Sequence, residues 1–414
     1  MNCRHCGQAV TLPFLDLGSA PPSNAYLALE GLRRPETWYP LRVFVCKNCW
    51  LVQTEDYAGR ETLFGSDYAY FSSYSSSWLN HAHTYVEDIV RRLTLGANSL
   101  VAEIGANDGY LLQFMQEKGI PSYGVEPTAS TAAEARRKGL QIIERFFDRQ
   151  LARQLTDEGR QVDLAIANNV LAHVPNINDF AASFVLLLKP GGIATFEFPH
   201  LMKMVAETQF DTAYHEHYSY LSFTVVQRIF SQSSLRIFDV EQLTTHGGSL
   251  RVFAQRADTG ANEPSRRVGQ LLDDEAAAGI NTAAYYSDFQ TRAESAKDEL
   301  ISFLVTAKRQ GLKVAAYGAA AKGNTLLNFA GVRPDLLPYV VDRNPSKQGM
   351  YMPGSRIPIV EEAYLERERP DRILILPWNL REELQTQLAY VRQWNAQFVT
   401  AIPRIQIAPA GMNR

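Results

Sequence analysis

Four chemically active side chains stand together as Tyr214-His215-Glu216-His217 in this 414-residue chain. An imidazole exchanges a proton near neutral pH, and a neighbouring carboxylate or phenol can orient it or stabilise charge on an oxygen. His215 and His217 could instead bind a metal ion, but no third ligand is obvious in the sequence. Acid–base chemistry is the better interpretation, and breaking a C–H bond is the reaction that most needs such a base.

A second group of residues has the spacing of a ligand-binding turn. An apolar run at 100–104, interrupted by Glu103, breaks at Gly105, and Gly109 opens a helical pattern. Glycine lets a ligand lie against the backbone, near the free N–H groups of a helix N-terminus. The pattern Glu-x-Gly-x-x-x-Gly departs from the dinucleotide fingerprint, and an ordinary strand-to-helix turn remains the alternative.

The next predicted strand ends in an acid. Glu126 follows the turn by about 20 residues, the spacing at which a carboxylate accepts hydrogen bonds from a ribose diol. The turn and the acid together resemble the S-adenosylmethionine (SAM) site of Rossmann-type methyltransferases. The residues predicted to contact this cofactor are Glu103, Gly105, Asn107, Gly109, Tyr110, Glu126, Phe147, Asn168 and Asn169.

All four cysteines lie near the start of the chain, as the pairs Cys3/Cys6 and Cys46/Cys49. Two Cys-x-x-Cys knuckles predict a tetrahedral Zn²⁺ site, and four thiolates leave no position open for a substrate, so the zinc would be structural. A redox pair or two disulfides are poorer alternatives, because we expect no secretory leader. His5, inside the first knuckle, is predicted to be an exposed spacer.

The composition is that of a globular protein with several domains. Hydrophobic residues make up 46% and charged residues 21% of the chain, with a net charge of -3. This charge gives no basic field for nucleic acid or an anionic membrane. Since no apolar run reaches membrane-spanning length, we expect a cytoplasmic protein that has neither kind of partner.

The elements that would position these side chains alternate as strands and helices. After Glu126 we predict a helix at 128–138, strands at 140–143, 162–167 and 192–199, a helix at 224–231, and an antiparallel strand pair at 235–240 and 249–255. Phe147 follows the strand at 140–143, where an adenine would lie, and Asn168 and Asn169 end the strand at 162–167. His173 comes just past the same carboxyl end, where open α/β sheets place their ligands.

Two segments flank this core. The aromatic and hydroxyl-rich stretch 67–78, which includes Tyr70, leads into a predicted helix at 78–93 with a serine N-cap, and His81 and His83 are expected on the surface of that helix. Near the C-terminus, a strand, turn and helix at 312–325 could bind a diphosphate through backbone N–H groups. The Gly-Lys-Ser/Thr ending of a P-loop is absent from this segment, so nucleoside triphosphate hydrolysis is not expected. The predicted substrate-binding residues are Lys322, Asn324, Asp342, Asn344 and Lys347; a purely structural domain is the alternative.

The whole set of motifs resembles the sugar C-methyltransferases. The cysteine pairs, Tyr-Phe-Ser-Ser, Glu-Ile-Gly-Ala-Asn-Asp-Gly, Tyr-His-Glu-His, His-Gly-Gly-Ser-Leu-Arg and Tyr-Gly-Ala-Ala-Ala-Lys-Gly-Asn-Thr carry the likeness. The resemblance implies SAM, a structural zinc and a nucleotide-linked 4-keto-6-deoxy sugar as substrate, with dTDP, GDP or CDP as the nucleotide. It also implies His217 as the base and Tyr214, Glu216, His173 and Tyr70 around the sugar.

The predicted fold class is α/β with three parts. Residues 1–66 form a zinc-binding module, residues 67–255 a Rossmann-like class I methyltransferase domain, and residues 256–414 a helical connector with a second Rossmann-like domain that helps to bind the nucleotide sugar. The predicted reaction is methylation of a carbon, C3 before C5, beside the keto group. An O- or N-methyltransferase, or a zinc-ribbon binding protein without catalysis, remains as an alternative.

Overall fold

A computed structural model describes residues 1–57, 59–63 and 71–408. The strands, numbered along the chain, are β1 (Leu12–Ala20), β2 (Tyr39–Val45), β3 (Val52–Thr54), β4 (Val101–Ile104), β5 (Ser122–Val125), β6 (Ile142–Ile143), β7 (Val162–Asn168), β8 (Leu188–Pro199), β9 (Ser219–Tyr220), β10 (Leu235–Leu243), β11 (Ser249–Arg256), β12 (Val314–Tyr317), β13 (Val340–Val341), β14 (Ile359–Val360), β15 (Arg372–Ile375), β16 (Gln397–Thr400) and β17 (Gln406–Ala408).

The helices are likewise numbered in chain order. They are α1 (Arg60–Leu63), α2 (Ser76–Leu93), α3 (Leu112–Glu117), α4 (Ala129–Arg137), α5 (Arg149–Asp157), α6 (Ile177–Leu187), α7 (Leu201–Ala206), α8 (Phe223–Gln232), α9 (Arg266–Ala278), α10 (Phe289–Arg309), α11 (Ala321–Phe329), α12 (Ala363–Glu368) and α13 (Arg381–Gln387). Among the described residues, no helix is both long enough and apolar enough to cross a membrane.

The central sheet has seven strands in the order β10-β11-β8-β7-β4-β5-β6. Strands β8, β7, β4, β5 and β6 run parallel, and β11 pairs antiparallel with both β8 and β10. The predicted antiparallel pair at the end of this domain is therefore confirmed. All four residues of β4 are buried, because helices cover both faces of a parallel sheet.

Side-chain caps fix the starts of helices α2 and α5. Ser75 accepts a hydrogen bond from the backbone N–H of Trp78, which confirms the predicted serine N-cap. Asp148 accepts one from Leu151 at 2.9 Å, and Leu151, Ala152 and Leu155 form the buried face of α5. Each cap satisfies a backbone donor that the helix itself leaves unpaired, which is worth about 1 kcal/mol.

The C-terminal sheet repeats the parallel arrangement. Its order is β14-β13-β12-β15-β16-β17, and only the last pair, β16 with β17, is antiparallel. The 21-residue helix α10 leads into it, and the predicted connector and second Rossmann-like unit are therefore present. The α/β fold class is confirmed.

The N-terminal sheet is completed by a strand from far along the chain. Its order is β1-β2-β3-β9, and β9 pairs with β3 through Val52 with Tyr220 and Gln53 with Ser219. The predicted division at residues 66 and 255 stays a prediction. The sheet of the N-terminal module does, however, include two residues from the segment just after His217.

The N-terminal module also shares a core with the C-terminal unit. Phe14 of β1 stacks on Phe289 of α10 with ring centroids 4.4 Å apart, and both belong to one buried cluster with Val314 of β12. The loop between β1 and β2 reaches further, because Asn324 of α11 donates a hydrogen bond to the Ser23 carbonyl at 2.6 Å.

Candidate active site

A cavity of about 1190 Å³ lies where the two parallel sheets face each other. Gly105, Glu126 and Asn168 follow or end strands of the central sheet, and Ala320 and Pro377 follow strands of the C-terminal sheet. Ligands of open α/β sheets bind at these carboxyl ends, so one cavity offers both sheets' ligand-binding edges.

The two glycines of the predicted turn have different roles. Gly105 has a φ of +72°, lies on the cavity wall, and a Cβ there would meet the side chain of Val170 at 2.5 Å. Gly109, with a φ of +76°, lies outside the cavity wall, and its Cβ would meet Leu140 at 2.2 Å and Ala135 at 3.2 Å. Gly109 therefore allows close packing against α4, whereas Gly105 leaves room beside the cavity.

Glu126 lies on the cavity wall with its carboxylate bonded to the turn. Its oxygens accept from the backbone N–H groups of Asn107 and Thr128, each at 2.9 Å, and burial raises its pKa. A carboxylate has capacity for further donors, which the prediction of a ribose contact requires. Glu103 does not reach the cavity: it is buried within β4, and burial raises its pKa well above the usual range.

Unsatisfied acceptors mark the wall beside the turn. The Oδ1 atoms of Asn168 and Asn169 are buried and have no hydrogen-bond partner among the described residues. Both side chains, together with Tyr110 and Phe147, line the cavity. Buried acceptors without a donor are costly, so the site fits a ligand that brings N–H donors and an aromatic base, as SAM does.

Asn107 and its neighbour Asp108 also hold the segment that begins at residue 71. Its Oδ1 accepts from the backbone N–H of Ser72 at 2.9 Å, and Asp108 accepts from Ser73 at 3.2 Å. Asn107 and Ser72 both line the cavity. Tyr70, predicted to face the sugar, lies outside the described residues.

Three aromatic rings gather on the cavity wall. The rings of His217 and Tyr214 have centroids 3.9 Å apart, and those of His217 and His173 are 4.6 Å apart. All three side chains line the cavity, and His217 is only 8% exposed.

Backbone carbonyls fix the tautomers of both histidines. Nδ1 of His217 donates to the Thr212 carbonyl oxygen at 2.8 Å, and Nδ1 of His173 donates to the Glu216 carbonyl oxygen at 2.8 Å. A carbonyl only accepts, so each Nδ1 carries the proton and each neutral ring has its lone pair at Nε2.

Burial keeps both imidazoles neutral. It lowers the pKa of His217 well below its usual range, with repulsion from a second imidazole, His173, further disfavouring protonation, and it lowers the pKa of His173 to about 4. The base form therefore dominates at neutral pH. His217 can therefore accept a proton at Nε2, as its predicted role as a base requires.

Glu216 and His215 face away from the cavity. The Glu216 carboxyl is buried behind the wall, where it accepts from Nδ2 of Asn24 at 3.1 Å, and burial raises its pKa. His215 donates to the carbonyls of Tyr39 and Pro40, both at 3.3 Å. A metal site formed by His215 and His217 is not supported, because the only candidate metal cluster among the described residues is that of the four cysteines.

The predicted substrate-binding residues separate into two sets. Lys322 and Lys347 line the cavity, whereas Asn324, Asp342 and Asn344 lie behind it and support the loops. Lys322 donates to Oδ1 of Asn379 at 2.9 Å, and burial lowers its pKa to about 8 despite the charge of Asp211 nearby. Lys347 donates to the Ala319 carbonyl at 2.8 Å.

The prediction that His81 lies on the helix surface is wrong. Its Nε2 is 2.9 Å from Glu197 and 3.1 Å from Arg251, and its ring stacks on Trp78 at 4.9 Å. Burial tends to raise the pKa of Glu197, but the bond to His81 and the charge of Arg251 lower it overall. Its charged partners Glu197 and Arg251 come from the distant strands β8 and β11, so helical spacing alone gave no signal. His83, by contrast, is half exposed as predicted.

Three further wall residues were not identified from the sequence. Asn24 comes from the β1–β2 loop, His246 from the turn before β11, and Trp378 from the turn after β15. Nε2 of His246 accepts from Nδ2 of Asn169 at 3.1 Å. His246 belongs to the His-Gly-Gly motif of the family resemblance, but the long stretches of chain between the three residues gave no sign that they line one cavity.

The cysteines form the expected cluster at the base of the N-terminal module. All four Sγ atoms lie within 4.8 Å of one another, and the pairs Cys3/Cys49 and Cys6/Cys46 are 3.5 Å apart. Tetrahedral Zn–S bonds of 2.3 Å place sulfurs about 3.8 Å apart, so the cluster fits Zn²⁺. His5 is buried and its Nδ1 bonds to Asn178 at 2.8 Å, so its prediction as an exposed spacer is wrong.

Comparison with known families covers most of the chain. Residues 3–64 match a family of zinc-binding domains, residues 78–239 a methyltransferase domain, and residues 244–403 the C-methyltransferase C-terminal domain. C-methyltransferase NovU of Streptomyces niveus is 31% identical over 409 residues, which span 99% of this chain and 97% of that protein.

Solved methyltransferase structures align with part of this chain at low TM-scores. Magnesium protoporphyrin IX methyltransferase of Synechocystis with bound SAM is 16% identical, with a TM-score of 0.35 over 49% of this chain and 100% of that one. An S-adenosylmethionine-dependent methyltransferase of Clostridium acetobutylicum is 12% identical, with a TM-score of 0.35 over 44% and 92% of the two chains.

Proposed function

This chain belongs to the C-methyltransferase family and uses SAM, and on that premise we propose that it methylates the carbon beside the keto group of a nucleotide-linked 4-keto-6-deoxy sugar. C3 is the proposed position, and His217 is the proposed base. The observation that carries the proposal is the pairing of His217 Nδ1 with the Thr212 carbonyl, because it leaves Nε2 unprotonated on the wall of the shared cavity.

The chemistry requires a base and a stabilised oxygen. A ketone acidifies the neighbouring C–H bond by moving the carbanion's charge onto oxygen, and a neutral imidazole can then take that proton. His217 would accept the proton at Nε2, and the phenol of Tyr214 beside it would donate to the enolate oxygen. SAM supplies an electrophilic methyl group to the carbon.

The lowered pKa of His217 makes a hydrogen-bond donor to the enolate oxygen necessary. A base that burial holds below its usual pKa is a weak acceptor for a carbon-bound proton, so it depends on stabilisation of the enolate. Tyr214 and His173 are the groups closest to the His217 ring, which supports roles for both in contact with the sugar.

Cationic residues support a nucleotide diphosphate as the other half of the substrate. Lys322 and Lys347 both come from the C-terminal unit and line the cavity. Two ammonium groups there would offset the charge of a diphosphate, and the sugar would then extend towards His217. The nucleotide is proposed as dTDP, GDP or CDP. We further propose a cytoplasmic location, because four cysteines arranged for metal binding require reduced thiols.

A panel experiment tests the proposal. The enzyme is incubated with SAM in deuterated water with dTDP-, GDP- and CDP-linked 4-keto-6-deoxy sugars, and the products are analysed by mass spectrometry and NMR. Gain of one methyl group on the carbon beside the ketone is the expected product, and solvent deuterium should enter that carbon in the sugar that remains unmethylated. Measurable SAM binding without methyl gain or exchange on any sugar would contradict it, and a methyl group found on oxygen or nitrogen would replace it.

A further inference from the structure

The acceptor that holds His217 belongs to a turn fixed by the C-terminal unit. Thr212 ends a single helical turn, Phe210–Thr212, and its neighbour Asp211 is fully buried. Oδ2 of Asp211 accepts a hydrogen bond from the indole Nε1–H of Trp378 at 2.8 Å. The catalytic candidate and Trp378 are thus two hydrogen bonds and one peptide apart.

Packing around Trp378 leaves its ring little freedom. A Cβ on Gly247 would meet the ring at 2.4 Å, and the Nζ of Lys322 lies 4.5 Å from the ring centroid on its face. Gln209, just before the turn, donates to the Gly247 carbonyl at 2.7 Å. The same ring therefore contacts the predicted diphosphate lysine and the turn that orients the base.

We propose that Trp378 and Asp211 are positioning residues for the base: the indole N–H fixes the 210–212 turn so that the Thr212 carbonyl holds His217 in its Nδ1–H tautomer. This inference rests on the proposed role of His217. It adds that the unit carrying the nucleotide-binding lysines also sets the orientation of the base in the methyltransferase unit.

The decisive variants remove one hydrogen bond at a time. Trp378→Phe keeps an aromatic ring beneath Lys322 but removes the N–H donor. Trp394→Phe is the matched control, because Trp394 is also partly buried in the C-terminal unit and donates its Nε1–H to the Pro370 carbonyl at 3.1 Å. Asp211→Asn keeps an oxygen acceptor for Trp378, whereas Asp211→Ala does not.

Two measurements are made on each full-length variant. Long-range ¹H–¹⁵N spectra of protein labelled at histidine nitrogen report the tautomer of His217, whose signal is identified by its loss in His217→Asn. Steady-state kinetics on the sugar methylated by the wild type report kcat and KM separately.

In Trp378→Phe and Asp211→Ala we expect His217 to lose its pure Nδ1–H tautomer. We expect kcat to fall roughly 30-fold, within the 100-fold that a misplacement of about 1 Å can cost, with KM changed by less than about threefold. Asp211→Asn and Trp394→Phe should keep the wild-type tautomer and a rate within about threefold of the wild type, because each leaves the indole contact to the turn in place.

An unchanged His217 spectrum in Trp378→Phe would overturn the inference, as would a changed spectrum with an unchanged kcat. A loss of rate in Trp394→Phe equal to that in Trp378→Phe would also overturn it, since the effect would then be general. If the wild type methylates no sugar in the panel, the proposed function fails, and the tautomer measured without substrate still decides whether Trp378 positions His217.

Discussion

At the scale of single residues, the candidate site depends on where two protons are placed. His217 and His173 each have one ring nitrogen occupied by a backbone carbonyl, so the nitrogens that could act on a substrate are defined by the main chain. Burial adds a second constraint, because it keeps both rings neutral across the physiological range. The result is a base that is already deprotonated before substrate binds.

Replacing the base tests this arrangement directly. His217→Asn retains an amide that can donate to Thr212 but has no basic nitrogen, so we expect turnover to fall by roughly 10²- to 10⁴-fold, the range of general base catalysis. SAM affinity, measured by calorimetry, should change little because His217 is not among the residues predicted to contact SAM. A variant with near-normal turnover would remove His217 as the base.

The lowered pKa of Lys322 predicts that kcat/KM decreases at alkaline pH. Lys322 is protonated below a pKa of about 8, so kcat/KM for a diphosphate-linked sugar should fall as the pH rises through about 8. Lys322→Arg should remove this alkaline limb because arginine stays charged. Lys322→Gln should lower kcat/KM below about pH 8, where the wild-type lysine is charged, and show no alkaline limb. A wild-type kcat/KM that is flat from pH 7 to 9 would contradict the assignment.

Sequence reasoning at this scale succeeded where chemistry is local and failed where partners are distant. Tyr214 and His217 are close in sequence and lie together on the cavity wall. His81 was placed on a helix surface because its partners Glu197 and Arg251 lie on strands β8 and β11, far along the chain. No periodicity within α2 could reveal them.

At the scale of elements, glycines decide how closely a helix approaches a strand. Gly109 permits α4 to pack against the turn after β4, and its positive φ excludes most other residues. The glycine pattern was predicted correctly as a turn, but the packing role of Gly109 depends on Leu140 and Ala135, which the spacing alone does not identify.

A matched pair of alanine substitutions isolates this contact. Gly109→Ala and Gly159→Ala share a φ near +70°, at +76° and +71°, but a Cβ on Gly159 meets nothing within 4 Å. Both should lose about 1–2 kcal/mol to left-handed strain. Gly109→Ala should lose about 1–3 kcal/mol more through overpacking, as measured by urea unfolding. Equal losses in the two variants would contradict the packing role.

The regular strands and helices of the central sheet followed from hydrophobic patterns, and their bounds agree with the structure within a few residues. The two-residue strand β9 could not be predicted in this way, because two residues are too short for a hydrophobic pattern and its partner β3 belongs to a different module. Short pairings of this kind are set by tertiary contacts and not by local propensity.

At the scale of the whole molecule, the segment around His217 is held by all three parts of the chain. Asn24 and Thr54 of the N-terminal module bond to the Glu216 carboxyl and the His217 carbonyl, and Trp378 of the C-terminal unit bonds to Asp211. The composition predicted several domains. Each motif describes a single domain, however, so the motifs could not show that all three parts of the chain contact the segment around His217.

This arrangement predicts that loss of zinc reduces turnover more than SAM binding. Cys46→Ser removes one of four ligands, so zinc content measured by plasma emission spectrometry and the melting temperature should both fall. Turnover should fall with them because β3 supports β9, whereas SAM affinity should stay within a few-fold. Lys47→Ser, an exposed change in the same knuckle, is the control. Full zinc content in Cys46→Ser would refute the four-cysteine site.

Because both histidines donate to main-chain carbonyls, their tautomers do not depend on the side chains of the residues that accept the hydrogen bonds. Every codon at positions 212 and 216 encodes a residue with a carbonyl oxygen, so the tautomers of His217 and His173 can survive mutations that replace the side chains of Thr212 and Glu216. A mutation of Glu216 would alter its side-chain bond with Asn24 without touching the backbone acceptor. Natural variation at position 216 can therefore adjust how the N-terminal module docks while the protonation of the imidazoles is preserved.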